Sequence, residues 1–346
     1  MNVRKLVVVG LVGMALFVAF AQLGTARFVV EVVDEQTHIS MRGVNVTAYF
    51  TSRYLRWDSK ASVDTDQFAQ TDKNGRCRFS GTTNCGDAWV RMMDYAGYYD
   101  SEILKIPYTT ANRTVCQPVW KPDNMVVTLM LQKVEHSIPL FMKLANLKAE
   151  NGKITNNQSK FSYDLLQGAW LPPFGDGKHA DIEFVCLQRE RLEDGKNFSH
   201  TAPRYRNSVR VEFCGEDNGI CTMPTTSATL KVRTAPADGY EKCVTIWRQR
   251  SAGLNATEGI DKSRNYCFRI RVKRDEEGNI AEAYYGKIYG DIELRHEYDG
   301  DIPNITGVKF RYYLNSTPLD RNLEWDTKNN LSPVKPRTET RWSCLP

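Results

Sequence analysis

The chain has 346 residues, 25% of them charged, with 46 Lys and Arg against 41 Asp and Glu and a formal net charge of +5. Basic residues are dispersed among acidic ones rather than gathered in a block, which argues against a nucleic-acid partner. Nine cysteines without a single CxxC pair argue against a zinc ribbon and against a thioredoxin-type redox centre.

The first predicted element is a leader. Arg4 and Lys5 precede an unbroken apolar run from Leu6 to Ala21, followed by two small-residue patterns, Ala19-Phe20-Ala21 and Gly24-Thr25-Ala26. This is the layout of a secretory signal peptide, assigned to residues 1–26. The alternative is an uncleaved anchor, but the run is shorter than the ~20 residues of a spanning helix, so cleavage is preferred, with no stable membrane insertion after it. The expected location is secreted, periplasmic or extracellular. About 320 residues remain, which suggests two domains. An oxidising compartment permits disulfides, and the odd cysteine count leaves at least one thiol without an intrachain mate. Eight Asn-x-Ser/Thr sequons, at Asn45, Asn112, Asn157, Asn197, Asn255, Asn304, Asn315 and Asn330, fit β-turn composition as well as glycosylation.

From Arg27 the pattern is period-2. The runs RFVVEVVD, GVNVTAYFTS, QFAQT, RCRFSG, AWVRMMDY, SEILKI and MVVTLMLQKV give about seven short strands separated by turn signals, the signature of a β-sandwich. The stretch Asp72-Lys73-Asn74-Gly75 offers two readings. A calcium loop needs further oxygen ligands and an acid at its twelfth position, where Thr83 stands. A hairpin turn needs only the positive-φ tolerance of Asn-Gly and the local bonding of Asp72, and is preferred.

Asp34 and Thr37 after the first strand, Gly43-Val44 opening the second, Thr71-Asp72-Asn74-Gly75-Phe79 around the turn, and Gly97-Tyr98 later share a spacing. With that spacing, residues 27–134 resemble the carboxypeptidase regulatory-like domain, a transthyretin-like (prealbumin-like) sandwich. The resemblance implies a seven-stranded Greek-key-type fold and a non-catalytic accessory or adhesive module. It carries over no catalytic residue. Cys77, Cys85 and Cys116 depart from the general pattern.

Residues 135–154 read as a linker in which Phe141–Leu147 could form a helical turn or two between Pro139 and Gly152. Residues 155–331 read as a second all-β domain, from runs such as ADIEFVCLQ, NSVRVEFC, SATLKVRT, EKCVTIWRQ, NYCFRIRVKR, IAEAYYGKIYGDIELRH and TGVKFRYYLN. Residues 332–346 form a polar tail. Two phrases, FSYDLLQGAWLPPFGDGKHADIEF and YYGKIYGDIEL with VKFRYYLNSTPLDRNLEWD, resemble uncharacterised secreted bacterial proteins that pair such a sandwich with a second β-region. That resemblance implies no activity.

Candidate chemistry is sparse. There is no G-x-S-x-G elbow and no HExxH. His179, Asp181 and Glu183 share a strand face and could ligate a metal; a solvated strand face is the plainer account. Asp299 and Asp301 could hold calcium, or form an acidic turn. Asp291 and Glu293 are the paired-carboxylate candidates for glycoside hydrolysis, with a polar sheet face as the alternative. Aromatics are dense, with Trp170, Trp247, Trp325, Trp342, Tyr284, Tyr285, Tyr289, Tyr312 and Tyr313 in the second half. Of these, Trp170, Trp247, Trp325 and Tyr285 are the candidates for stacking on sugar rings, against core packing as the simpler role. Cys214 with Cys221, and Cys243 with Cys267, are the disulfide candidates, since antiparallel pairing would bring each within the Cα window. No cofactor is expected. The reading is a secreted, non-enzymatic, two-domain β protein that binds carbohydrate or an envelope protein, or serves structurally. The alternative is a secreted hydrolase with a carboxylate or metal site in the second domain.

Overall fold

The computed structural model describes residues 24–55, 60–101, 103–111, 119–148, 160–191, 205–223, 232–250, 259, 264–297 and 304–332. The leader through residue 23, Cys116, Asp299, Asp301, Trp342 and Cys344 lie outside them, as do most of the run SATLKVRT and the tail beyond Ser332. Among the described residues every regular element is a strand, so the all-β expectation holds. No helix among the described residues is long and apolar enough to cross a membrane. Two compact units divide at Val134/Glu135.

Among the described residues unit 1 holds nine strands: β1 (Gly24–Asp34), β2 (Asn45–Leu55), β3 (Lys60–Gln70), β4 (Arg76–Thr83), β5 (Asp87–Met92), β6 (Leu104–Lys105), β7 (Thr110–Ala111), β8 (Trp120–Lys121) and β9 (Met125–Leu131). They form a three-stranded sheet β4-β1-β9, a four-stranded sheet β3-β2-β5-β6, and a small ribbon β7-β8. β1 runs antiparallel to β4 and parallel to β9. Alternation explains the packing. Phe28, Val30 and Val32 of β1, Phe79 of β4 and Leu129 and Leu131 of β9 share one buried cluster with Val46, Ala48 and Phe50 of β2 and Val90 and Met92 of β5. The inner faces of two sheets therefore enclose one core, which is a β-sandwich.

The turn at residues 72–75 differs from the hairpin expectation. β3 belongs to one sheet and β4 to the other, so the turn crosses the sandwich instead of joining paired strands. Asp72 Oδ1 accepts from the Asn74 and Arg76 amides at 2.8 and 3.0 Å. These bonds hold its carboxyl below the usual carboxylate range. Only Gly75 takes a positive φ, 72°; Asn74 does not. A Cβ at Gly75 would lie 2.8 Å from Ser40 Cβ and 2.9 Å from both Met41 N and Val32 O, so glycine lets the turn press against the loop before β2.

Unit 2 holds β10 (Ile138–Lys148), β11 (Lys160–Asp164), β12 (Ala169–Trp170), β13 (Ile182–Arg191), β14 (Tyr205–Phe213), β15 (Gly219–Met223), β16 (Cys243–Arg250), β17 (Asn265–Arg274), β18 (Ile280–Ile288), β19 (Glu293–Glu297), β20 (Asn304–Asn315) and β21 (Trp325–Asn330). One sheet runs β12-β11-β13-β14-β16. The other runs β15-β17-β18-β20-β10-β21, with β19 also on β20. The segment expected to be a linker with a helical turn is instead an interior strand: β10 pairs antiparallel with β20 and parallel with β21. Its two faces are both buried, Phe141, Ala145 and Leu147 on one cluster and Leu140 and Met142 on another. A strand covered on both sides loses the period-2 signal, and its apolar run cannot be told from a helix by periodicity.

Aromatic rings interleave between the two sheets of unit 2. Tyr163 meets Phe310 edge-on at 5.5 Å, Phe184 lies 5.8 Å from Phe310, and Phe213 lies 5.9 Å from Phe268. Such pairs add about 0.5–1.5 kcal/mol each beyond area burial. Opposite Phe268 on the neighbouring strand stands Gly286, where any Cβ would clash with the edge of the Phe268 ring and with the Tyr313 carbonyl.

Candidate functional site

Two buried carboxylates sit at the ends of unit 2 strands. Asp164 closes β11 and is 1% exposed; Asp181 immediately precedes β13 and is 3% exposed. Asp164 Oδ1 accepts from the Gln167 amide at 2.9 Å, and its Oδ2 from the His179 amide at 3.1 Å. Asp181 Oδ2 accepts from the Leu165 amide at 2.8 Å. Each carboxylate thus ties a loop to a strand end, and each needs a cation because a buried charge without one is costly.

Arg271 supplies it. Its Nη2 bonds Asp164 Oδ1 at 2.8 Å and Asp181 Oδ2 at 3.1 Å, and its Nε bonds Asp181 Oδ1 at 2.9 Å. The backbone explains how a β17 residue reaches the facing sheet. The β17–β18 register shifts between Ile270 and Lys273, and Arg271 has φ 53°. A bulge of this kind breaks alternation, so Arg271 follows the core residue Ile270 toward the same side. The left-handed conformation costs an L residue about 1–2 kcal/mol. Burial acts to lower the Arg271 pKa, but the bonds and charges of Asp181 and Asp164 outweigh it, and the net shift is upward.

Arg271 forms the floor of a cleft of about 460 Å³, with His179, Asp181, Cys214, Asn218, Lys273, Glu282 and Tyr284 among its walls. Among the described residues nothing bonds the Arg271 Nη1, and its side chain is 26% exposed. At the rim, Lys273 Nζ pairs with Glu282 Oε2 at 2.6 Å. The wall at Cys214–Asn218 is fixed by Asn218, whose Nδ2 donates to the Cys214 carbonyl and whose Oδ1 accepts from the Val272 amide at 3.0 Å. Burial raises the Cys214 thiol pKa.

The candidates from sequence fall as follows. His179 and Asp181 both reach the cleft, whereas Glu183 pairs with Lys160 at 2.9 Å. Among the described residues no group of three or more His, Cys, Asp or Glu is placed to hold a metal ion. The shared-face ligand set is therefore not assembled, because Asp181 is taken by Arg271 and Leu165 and Glu183 by Lys160. Trp170, Trp325 and Tyr285 are 8, 4 and 5% exposed, so these stacking candidates are core residues. Trp247 is half-buried with the Arg206 guanidinium 5.8 Å over its ring. Asp291 accepts from Tyr266 Oη at 3.0 Å, while Glu293 lies 3.7 Å from Lys309.

None of the seven described cysteines is in a disulfide. β16 pairs with β14, and β17 with β15 and β18, so the strands carrying Cys243 and Cys267 are not neighbours. Cys221 instead stands opposite Cys267. Two sequons are structural: Asn315 is 2% exposed and Nδ2 donates to Asp320 Oδ2 at 2.8 Å, and Asn330 bonds both backbone groups of Met142. Sequence reasoning missed Arg271 and Asp164. RIRVKR reads as a basic strand face, and nothing in it marks the bulge that turns Arg271 inward.

No family model matches the chain. No curated protein matches it significantly. Among solved structures, the chain is similar to a streptococcal ancillary pilin at 15% identity and a TM-score of 0.18, over 57% of this chain and 60% of the pilin. The chain thus spans less than two thirds of the pilin's length. It is also similar to a protein from Bacteroides uniformis described as a "putative carbohydrate binding protein", at 10% identity and a TM-score of 0.17, over 84% of this chain and 99% of that one. Similarity at this level carries no argument about function.

Proposed function

We propose that this protein is an exported, non-catalytic β protein whose second unit binds a neutral, hydroxyl-rich ligand, a saccharide being the chemistry that fits, in the cleft over Arg271. The observation that carries this is the guanidinium itself. Two of its nitrogens are fixed by buried carboxylates, which leaves Nη1 as an oriented donor on the cleft floor. Charge decides the ligand class. Arg271 is matched by two carboxylates and Lys273 by Glu282, so these groups sum to a slight negative balance that disfavours an anion. Sugar hydroxyls accept from the guanidinium, and the half-buried Tyr284 offers an apolar ring face beside it. The oxygens of Asp164 and Asp181 are engaged by Arg271 and backbone amides, which leaves neither presented as an acid or nucleophile and speaks against the hydrolase reading.

Calorimetric titration of the full chain with neutral and acidic oligosaccharide panels tests this. Binding of a neutral sugar, weakened at least tenfold by Tyr284→Ala at a temperature where the variant remains folded, is the expected result. Silence across both panels, or hydrolysis of any member, refutes it.

For unit 1, the reading as a carboxypeptidase regulatory-like module is supported by a bonded cluster. Asp34 Oδ1 accepts from the Thr37 amide and hydroxyl at 2.9 and 3.0 Å, and its Oδ2 from Tyr98 Oη at 2.9 Å. Three of the residues that carry the resemblance meet there. Export is supported by the leader pattern, and β1 refines its cleavage point. Gly24, Thr25 and Ala26 pair with Thr83, Thr82 and Gly81, and Ala26 is wholly buried. Cleavage after Ala26 would remove paired core strand, so cleavage after Ala21 is expected. Intact mass of the exported protein should place the new N-terminus at Gln22; a start at Arg27 would contradict the assignment.

A further inference from the structure

Cys221 and Cys267 face each other across the antiparallel β15–β17 ladder. Directly opposed residues in such a ladder have Cα atoms about 4.5–5.5 Å apart, inside the roughly 4.4–6.8 Å window of a disulfide. Their side chains share a small apolar cluster with Ala235, Ala283, Tyr285 and Leu323, and the two thiols are within hydrogen-bond reach of each other. Cys267 is fully buried and Cys221 half-buried, which leaves one sulfur within reach of a reagent and the other shielded.

We propose that Cys221 and Cys267 form a disulfide that fastens the edge strand β15 to β17 and so fixes one wall of the cleft. The oxidant is a disulfide, small-molecule or carried by an exchange catalyst. The Cys221 thiolate attacks one of its sulfurs and expels the other as a thiolate; Cys267 then loses its proton and attacks Cys221, expelling the second thiol. Two protein thiols lose two protons and two electrons, and the reagent disulfide becomes two thiols. Electrostatics give the same order. The hydrogen bond between the two thiols lowers the Cys221 pKa and raises that of Cys267. Two other described cysteines are the opposite case: burial pushes the Cys77 thiol up to about 12 and Cys186 to about 11, which makes them inert at neutral pH.

The structural stake lies one turn upstream. β15 is a five-residue strand at the end of its sheet, its outer side bonded to Glu241 at the Ile220 bridge, and the residues entering it are the cleft wall. Asp217 there is paired with Arg274 of β17 at 2.7 Å, and Asn218 with the Val272 amide. A covalent link two pairs along the same ladder adds to these contacts. The disulfide stands or falls independently of any ligand, because its test reads a covalent bond.

The full chain, exported into an oxidising compartment and purified without reductant, is alkylated in denaturant and digested with trypsin plus a glutamate-specific protease. Cutting after Glu216 separates Cys214 from Cys221. The expected product is a reducible cross-linked pair, one peptide carrying Cys221 and the other Asn265–Arg269, lighter by about 2 Da than the two free peptides together. Recovery of both cysteines alkylated, or of either joined to another cysteine, overturns the proposal. As a second measurement, reductant should lower the melting temperature of the wild-type chain, and Cys221→Ser should lose most of that dependence. A reductant effect of unchanged size in the variant also overturns it.

Discussion

Unit 1 and unit 2 are both pairs of sheets, yet they handle buried charge and bulk in opposite ways. The unit 1 core places three phenylalanines, Phe28, Phe50 and Phe79, among aliphatic side chains. The main unit 2 core gathers Phe141, Phe161, Tyr163, Trp170, Phe184, Phe213, Tyr266, Phe268, Phe310 and Tyr312. In unit 1 the buried carboxylate of Asp34 is satisfied almost at home, by Gln36 and Thr37, with Tyr98 as a distant donor. In unit 2, Asp181 and Asp164 rely on a guanidinium 90 and 107 residues away. The difference shows where a ligand site can arise. A locally closed polar group is used up by its own turn, while a charge bridged across two sheets leaves a donor at the seam.

The sharpest way to break the comparison is Arg271→Ala. Removing the cation strands two carboxylates that are nearly inaccessible, and unit 2 should lose about 3–5 kcal/mol in chemical denaturation. A loss below about 1 kcal/mol would mean that the backbone amides satisfy the pair without help. Next in size is Gly75→Ala. The left-handed backbone and the three close contacts together predict a loss of about 2–3 kcal/mol in the unit 1 transition, with unit 2 untouched. An unperturbed unit 1 transition would show that the turn can relax away from the loop before β2.

The smallest effect probes the local pattern. Tyr98→Phe should cost unit 1 about 1–2 kcal/mol near neutral pH. Burial raises the Tyr98 phenol, helped by its bond to Asp34, to about 12. Its folded pKa lies above the unfolded value near 10, so its contribution is complete below about pH 10 and is lost as pH rises through about 12. Asp34 runs the other way. Burial opposes its ionisation, but the bonds from Thr37, Tyr98 and Gln36 prevail and set its pKa below the ordinary 3.8. That contribution is present above the unfolded value and disappears as pH falls through the lower, folded one. Unit 1 stability followed against pH should therefore fall at both extremes, and Tyr98→Phe should shrink the alkaline edge, to which Cys77 and Tyr108, both raised by burial, also contribute. An alkaline edge of the same size in the variant would assign it to another group.

Legibility in the sequence follows the same divide. β4 and β9 alternate buried with exposed or half-buried positions and β1 alternates buried with half-buried ones, and the pattern of RFVVEVVD or RCRFSG displays it directly. β17 matches its run, NYCFRIRVKR, from end to end. β10 was hidden because both its faces are covered, and the crossing turn at Gly75 was hidden because a dipeptide fixes local dihedrals without saying which strand will pair with which. At the candidate site, His179 and Asp181 could be singled out as polar residues near a strand start. Arg271 could not, since its role depends on a bulge and on two partners brought together only by the tertiary fold.

The position of β10 also carries a kinetic consequence. This strand is the first of unit 2 to leave the ribosome, yet its partners β20 and β21 are the last. Closing so wide a loop is entropically slow. Until the C-terminal stretch arrives, Phe141, Leu140 and Met142 have no sheet to join. The sheet around β10 therefore completes only once β20 and β21 have emerged, and a chain cut short before β20 would display an unpaired, strongly apolar strand open to aggregation.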